Sequence, residues 1–114
     1  MAQSKTILFV DDDPDIRAIV ATALGKPGYV IITASDAYEA VRILAYNRVS
    51  LLITDIKMPG INGFELAQQA RALRPDIQII YVSGYPSDNP HGGAVLKKPL
   101  RIGDLLAEVS GRLL

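Results

Sequence analysis

The side chains of this sequence best suited to chemistry are carboxylates at the ends of two apolar runs. Thr6-Ile-Leu-Phe-Val10 leads straight into Asp11-Asp12-Asp13, and Leu51-Leu-Ile-Thr54 ends in Asp55. After Asp55 come Ile56-Lys57-Met58-Pro59, Gly60 and Gly63, the Pro and Gly punctuation of a turn leaving a strand. Near-continuous apolar runs read as buried parallel strands, and open α/β sheets gather their ligands at the carboxyl ends of such strands. Right-handed crossovers set the first and third strands side by side, so Asp11, Asp12 and Asp55 are expected at one sheet edge. Carboxylates about 5 Å apart repel by roughly 3 kcal/mol at an effective dielectric near 20, and three together call for a cation. Hard oxygen ligands on a partly open loop suit Mg²⁺, which keeps waters and is often completed by a phosphate. Asp13 has a plainer role as a helix cap, with Pro14 at the first helical position.

Two more side chains complete the set. Ile79-Ile-Tyr-Val82 ends in Ser83, and Val95-Leu96 leads into Lys97-Lys98-Pro99. A hydroxyl and an ammonium at neighbouring strand ends are suited to binding phosphoryl oxygens. Of the two lysines Lys98 is preferred, because strand alternation turns Lys97 to the opposite face and Pro99 imposes an extended exit.

The elements that must position these residues alternate along the chain. Strand-like runs fall at residues 6–10, 29–34, 51–54, 77–82 and 94–96. Helical spacing links Ile16, Ile19, Val20, Ala23 and Leu24, then Ala37, Ala40, Val41, Leu44 and Ala45, with Ser35 or Asp36 as cap. It recurs at Phe64, Ala67, Ala70 and Leu73, and at Leu105, Leu106, Val109 and Leu113. Strands alternating with helices of this length imply βαβ units and a parallel sheet. The exception is the fourth connection, residues 84–93, where Gly-Tyr-Pro-Ser-Asp-Asn-Pro-His-Gly-Gly has no apolar period. Its composition predicts a loop, or at most one helical turn, in place of a crossover helix. His91 in that loop has no neighbour at metal-ligand spacing and reads as a surface residue.

Composition bounds the rest. A chain of 114 residues fits one domain, here 1–114, and buries about 65% of its unfolded surface without a staple. There is no cysteine, hence no disulfide framework or thiolate chemistry. Lys and Arg number 12 against 12 Asp and Glu, which lacks the basic excess of a nucleic-acid binder. No signal-peptide pattern and no apolar run near ~20 residues is present. A cytoplasmic location is expected, without membrane or nucleic-acid partners.

The ordered set Val10-Asp11-Asp12-Asp13-Pro14, Asp55-Ile-Lys-Met-Pro59 with Gly63, Ser83-Gly84 and Lys98-Pro99 resembles the receiver domain of two-component response regulators, over essentially the whole chain. The resemblance implies a flavodoxin-like, doubly wound sheet of five parallel strands in order 2-1-3-4-5. It implies Asp55 as phosphoacceptor, Asp11 and Asp12 as Mg²⁺-binding acids and the Lys57 carbonyl as a further metal ligand. Ser83 matches the family's switch hydroxyl and Lys98 its phosphate-binding lysine. The implied donor is a phosphohistidine on a histidine kinase or histidine phosphotransfer protein. The output would pass to a downstream protein or an attached output domain through movement of region 83–98. Such a domain assists its own phosphorylation and dephosphorylation and is not otherwise an enzyme. Lys57 and Tyr85 are expected to border the path of an attacking water and to slow hydrolysis.

Two departures from the family pattern stand out. The family has a helix after the switch hydroxyl and an aromatic residue three positions before the lysine, where this chain has Val95. The alternative is a receiver-fold interaction module that does not signal by phosphorylation. A haloacid-dehalogenase-like phosphatase would want a second Asp where Lys57 stands, and a flavodoxin-type phosphate cradle would be repelled by three aspartates.

Overall fold

The apolar runs pair as a five-stranded parallel sheet in order β2-β1-β3-β4-β5 in the computed structural model, which describes residues 5–84 and 94–113. The strands are β1 (Thr6–Val10), β2 (Val30–Ala34), β3 (Leu51–Asp55), β4 (Gln78–Ser83) and β5 (Ala94–Lys97). The helices are α1 (Pro14–Gly25), α2 (Ala37–Tyr46), α3 (Gly63–Leu73) and α4 (Ile102–Leu113). β3 lies at the centre with all five residues buried, as expected of a strand covered on both faces.

Alternation along β1 divides the core. Ile7 and Phe9 join Leu51, Ile53, Ile80 and Val82 under Val20 and Leu24 of α1 and Leu105 and Val109 of α4. Leu8 and Val10 join Leu52, Ile79 and Tyr81 under Ala40 and Leu44 of α2 and Leu66, Ala67 and Ala70 of α3. Each fully buried Leu or Ile contributes roughly 1.5–3 kcal/mol relative to exposure. A one-residue register slip in β1 would exchange its two faces, which is why the register Val10↔Thr54 holds and Asp11 begins where Asp55 ends.

The caps are specific. Asp13 accepts from the Asp15 amide at 2.9 Å with Pro14 following. Asp36, rather than Ser35, caps α2 by accepting from the Glu39 amide at 2.8 Å. Asn62 and Glu65 form a capping box at the start of α3.

Two helix faces differ from expectation. Ile19 is 52% exposed and Leu73 40% exposed. In α1 the inward stripe runs through Val20 and Leu24 with Ile16 partly buried, so Ile19 points to solvent. In α3 the buried face runs through Gly63, Leu66, Ala67 and Ala70, and Leu73 follows on the same face in the last turn, where it is half-exposed. The expected loop in the β4–β5 connection, with Tyr85 and His91, lies in residues 85–93, outside the described ones. Among the described residues no helix is long and apolar enough to cross a membrane.

Candidate functional site

Three of the connections carry the site. β1 ends on its last ladder bond to β2, the Asp11 amide donating to the Ala34 carbonyl at 3.1 Å. The Asp13 amide then turns back to Asp11 Oδ1 at 2.9 Å, which folds the acidic loop onto itself. After β3, the Ile56 amide still bonds the Val82 carbonyl at 3.1 Å. The Gly63 amide at the head of α3 bonds the Ile56 carbonyl at 2.8 Å. A Cβ on Gly63 would stand 2.1 Å from the Asp55 carbonyl oxygen, so only glycine lets α3 approach the strand end this closely. The Thr54 hydroxyl donates to the same carbonyl at 3.0 Å. After β5, the Lys98 amide donates to the Ser83 carbonyl at 2.9 Å, pinning both residues at adjacent strand ends.

These connections bring the expected residues together. Asp11, Asp12 and Asp55 each offer a carboxylate oxygen, all within 4.8 Å of one another. Asp11 and Asp55 are buried, with 7% and 6% exposure, and Asp12 is exposed. Lys98 Nζ lies 2.8 Å from Asp55 Oδ1. Asp55, Lys57, Val82, Ser83, Gly84 and Lys98 line a cavity of about 210 Å³. At about 30 Å³ of liquid volume per water, that cavity has room for a group of several heavy atoms. Lys97 is exposed, pairs with Ser83 in register, and is not among the residues lining this cavity.

The electrostatics follow from burial and crowding. Burial raises the Asp55 carboxyl above its ordinary value; the Lys98 ammonium pulls against this, and Asp11 and Asp12 add to the rise. Burial likewise raises Asp11, opposed by the Asp13 amide and Lys98 and aided by Asp12. Lys98 is lowered by burial, but its bond to Asp55 and the charges of all three acids outweigh this, so it too is raised. That both partners of one ion pair are raised is consistent: Lys98 is 44% exposed and gives up little hydration, while Asp55 at 8% gives up most of its own. The cluster is an anionic site that could hold a metal ion. Its donors are hard oxygens at a loop edge, and this set fits Mg²⁺.

Sequence reasoning did not reach several participants. Arg17 donates through Nη1 to the Asp11 carbonyl at 2.7 Å, and nothing in its spacing distinguishes it from a solvated helix charge. Thr54 was legible only as a strand residue. The Tyr81 hydroxyl is buried without a hydrogen-bond partner among the described residues, its ring 4.9 Å from that of Phe64.

The comparisons with known proteins agree with this geometry. The family profile described as "Response regulator receiver domain" matches residues 7–110. The chain is 36% identical over 117 residues to the response regulator receiver protein CpdR of Brucella abortus (strain 2308), covering 96% of this chain and 98% of CpdR. It is 36% identical over 77 residues to the sensor histidine kinase RcsC of Escherichia coli (strain K12), covering 68% of this chain but 8% of RcsC. The crystal structure of the response regulator protein TrrA from Thermotoga maritima, in complex with Mg²⁺-BeF, superposes with a TM-score of 0.84. It is 32% identical, and the match covers 96% of this chain and 99% of TrrA.

Proposed function

The chain belongs to the response regulator receiver domain family of two-component signalling, and from that premise we propose that Asp55 accepts a phosphoryl group from a phosphohistidine. The observation that carries this reading is the buried Asp55 carboxylate held 2.8 Å from the Lys98 ammonium, with the Asp11 and Asp12 oxygens within 4.8 Å. A buried carboxylate at a strand end, facing a cavity lined by two lysines and a hydroxyl, is a nucleophile with its oxyanion partners in place.

In the reaction an Asp55 oxygen attacks phosphorus, the P–N bond to the donor imidazole breaks, and the imidazole leaves with the electron pair and takes up a proton. The product is an acyl phosphate on Asp55. Mg²⁺ held by Asp11, Asp12, Asp55 and the Lys57 carbonyl would supply positive charge against the transferred oxygens, the main demand of phosphoryl transfer. Lys98, tied to Ser83 through its backbone amide, keeps its ammonium beside the acceptor and binds one phosphoryl oxygen after transfer. The Ser83 hydroxyl binds another, and its movement carries region 83–98 into a second arrangement, a local charge event with a wider readout. Lys57, which borders the cavity, obstructs the approach of water to the phosphorus and slows hydrolysis.

The donor docks beside α1. Ile19 is 52% exposed within a shallow depression lined by Ala18, Thr22, Ala23 and Lys26, and α1 begins at the acidic loop. This exposed apolar surface offers a seat for an apolar helix face of a histidine kinase or histidine phosphotransfer protein. The similarity to RcsC, a sensor histidine kinase, supports a kinase partner, and the output passes to a downstream protein or an attached output domain.

The test is ³¹P NMR with phosphoramidate, a small P–N donor, and Mg²⁺. We expect an acyl-phosphate resonance that hydroxylamine discharges and that Asp55→Asn abolishes. A resonance that persists in the variant would place the acceptor elsewhere. No resonance from any P–N donor would favour the interaction-module reading, which the Val95 substitution for the family aromatic also favours.

A further inference from the structure

The Asp11 carbonyl emerges just past the last β1–β2 ladder bond, in a residue that is 7% exposed. A buried carbonyl left without a donor costs about 1–3 kcal/mol. Its donor is the guanidinium of Arg17, with Nη1 at 2.7 Å, a short charge-assisted bond. The Arg17 amide donates in turn to the Asp13 carbonyl at 3.1 Å. One residue of α1 therefore grips the acidic loop at both of its ends, through its side chain at Asp11 and its backbone at Asp13.

The remaining contacts of Asp11 make this grip consequential. Its amide is held by Ala34 at 3.1 Å and its Oδ1 by the Asp13 amide at 2.9 Å. With amide, carbonyl and one carboxylate oxygen engaged, the Asp11 peptide cannot rotate without breaking one of these bonds. The peptide that Arg17 fixes is the one joining Asp11 to Asp12. Its orientation sets where both carboxylates point.

We propose that Arg17 is a positioning residue for the cation site, orienting the Asp11 and Asp12 carboxylates toward Asp55 through the Asp11 carbonyl. This rests on the reading that Asp11, Asp12 and Asp55 bind Mg²⁺. Arg17 carries a positive charge close to that site, so charge and geometry make opposite predictions. If only its charge mattered, a neutral replacement would tighten Mg²⁺ binding and Arg17→Lys would leave it unchanged. If its side chain holds the peptide, both replacements weaken binding, because Met has no donor and the shorter lysine stem does not present its ammonium where Nη1 stands.

The experiment is calorimetric titration of Mg²⁺ alone into the wild type, Arg17→Lys and Arg17→Met at fixed ionic strength. Amide hydrogen exchange at Asp13 in the metal-free proteins accompanies it. We expect roughly 10-fold weaker Mg²⁺ binding in both variants, the order found for partners that orient metal ligands, and faster exchange at Asp13. Tighter binding in Arg17→Met with Arg17→Lys unchanged would overturn the proposal while leaving the Mg²⁺ reading intact. Unchanged Asp13 exchange in both variants would overturn it as well. A wild type that takes up no Mg²⁺ defeats the reading itself, and the proposal with it.

Discussion

Replacing Asp55 by asparagine should stabilise this protein in the absence of divalent metal. The side chain is buried, and its charge lies within 4.8 Å of the Asp11 and Asp12 oxygens. At an effective dielectric near 20 each such pair repels by about 3 kcal/mol, less for Asp12, which is exposed. The opposing attraction is to Lys98 at 2.8 Å, but that side chain is 44% exposed, and water screens such pairs to about 1 kcal/mol or less. Hydration lost on burial adds to the unfavourable side, as the raised Asp55 pKa indicates. The Asp11 repulsion less the Lys98 attraction alone leaves at least about 2 kcal/mol in favour of the neutral isostere, a Tm rise of roughly 8 °C or more for a domain of this size. Thermal unfolding followed by circular dichroism in EDTA measures this. With saturating Mg²⁺ the order should close or reverse, since a ligand at 100 times its Kd adds about 2.7 kcal/mol to the protein with the complete ligand set. An Asp55→Asn variant less stable than wild type in EDTA would refute the account of the site as a cluster of mutually repelling carboxylates.

Other outcomes follow from the same structure. Gly63→Ala places a methyl 2.1 Å from the Asp55 carbonyl oxygen and 2.9 Å from Ile56 Cα, both backbone, and should cost about 3 kcal/mol on urea unfolding while displacing the acceptor. Tyr81→Phe removes a buried hydroxyl with no partner among the described residues and should stabilise by about 1 kcal/mol; a loss of stability would show that the hydroxyl is bonded. Burial holds the Asp55 and Asp11 carboxyls above 3.8 in the folded state, so each binds its proton more tightly folded than unfolded. Their contribution to stability therefore falls as pH rises from about 3.8 through the raised values. The advantage of Asp55→Asn over wild type in EDTA should accordingly shrink as pH is lowered through that interval, and a gap constant from pH 7 to 4 would contradict the assignment.

The sheet was legible because its strands are apolar runs closed by turn residues, and β1 and β3 begin at the residues where their runs begin. The acidic cluster was legible because carboxylates directly after such runs have only one edge of the sheet to occupy. Lys98 was preferred to Lys97 on strand alternation and on the Pro99 that follows it, and it is the Lys98 ammonium that lies 2.8 Å from Asp55 Oδ1. Helix faces were less secure: Ile19 fits a 3.6-residue stripe as well as Val20 does, and only the direction of packing against the sheet decides between them. Leu73 shares the stripe of Leu66 but stands in the last turn of α3, where the sheet no longer covers it. Arg17 was beyond reach for a different reason. Its partner is a backbone carbonyl, which carries no side-chain signature in sequence.

The central claim is tested most directly by intact mass after incubation with acetyl phosphate, with and without Mg²⁺, beside Asp55→Asn. A single phosphoryl adduct that requires Mg²⁺ and is missing from the variant is the predicted result. An adduct that forms equally without Mg²⁺, or that survives the loss of the Asp55 carboxylate, would contradict it.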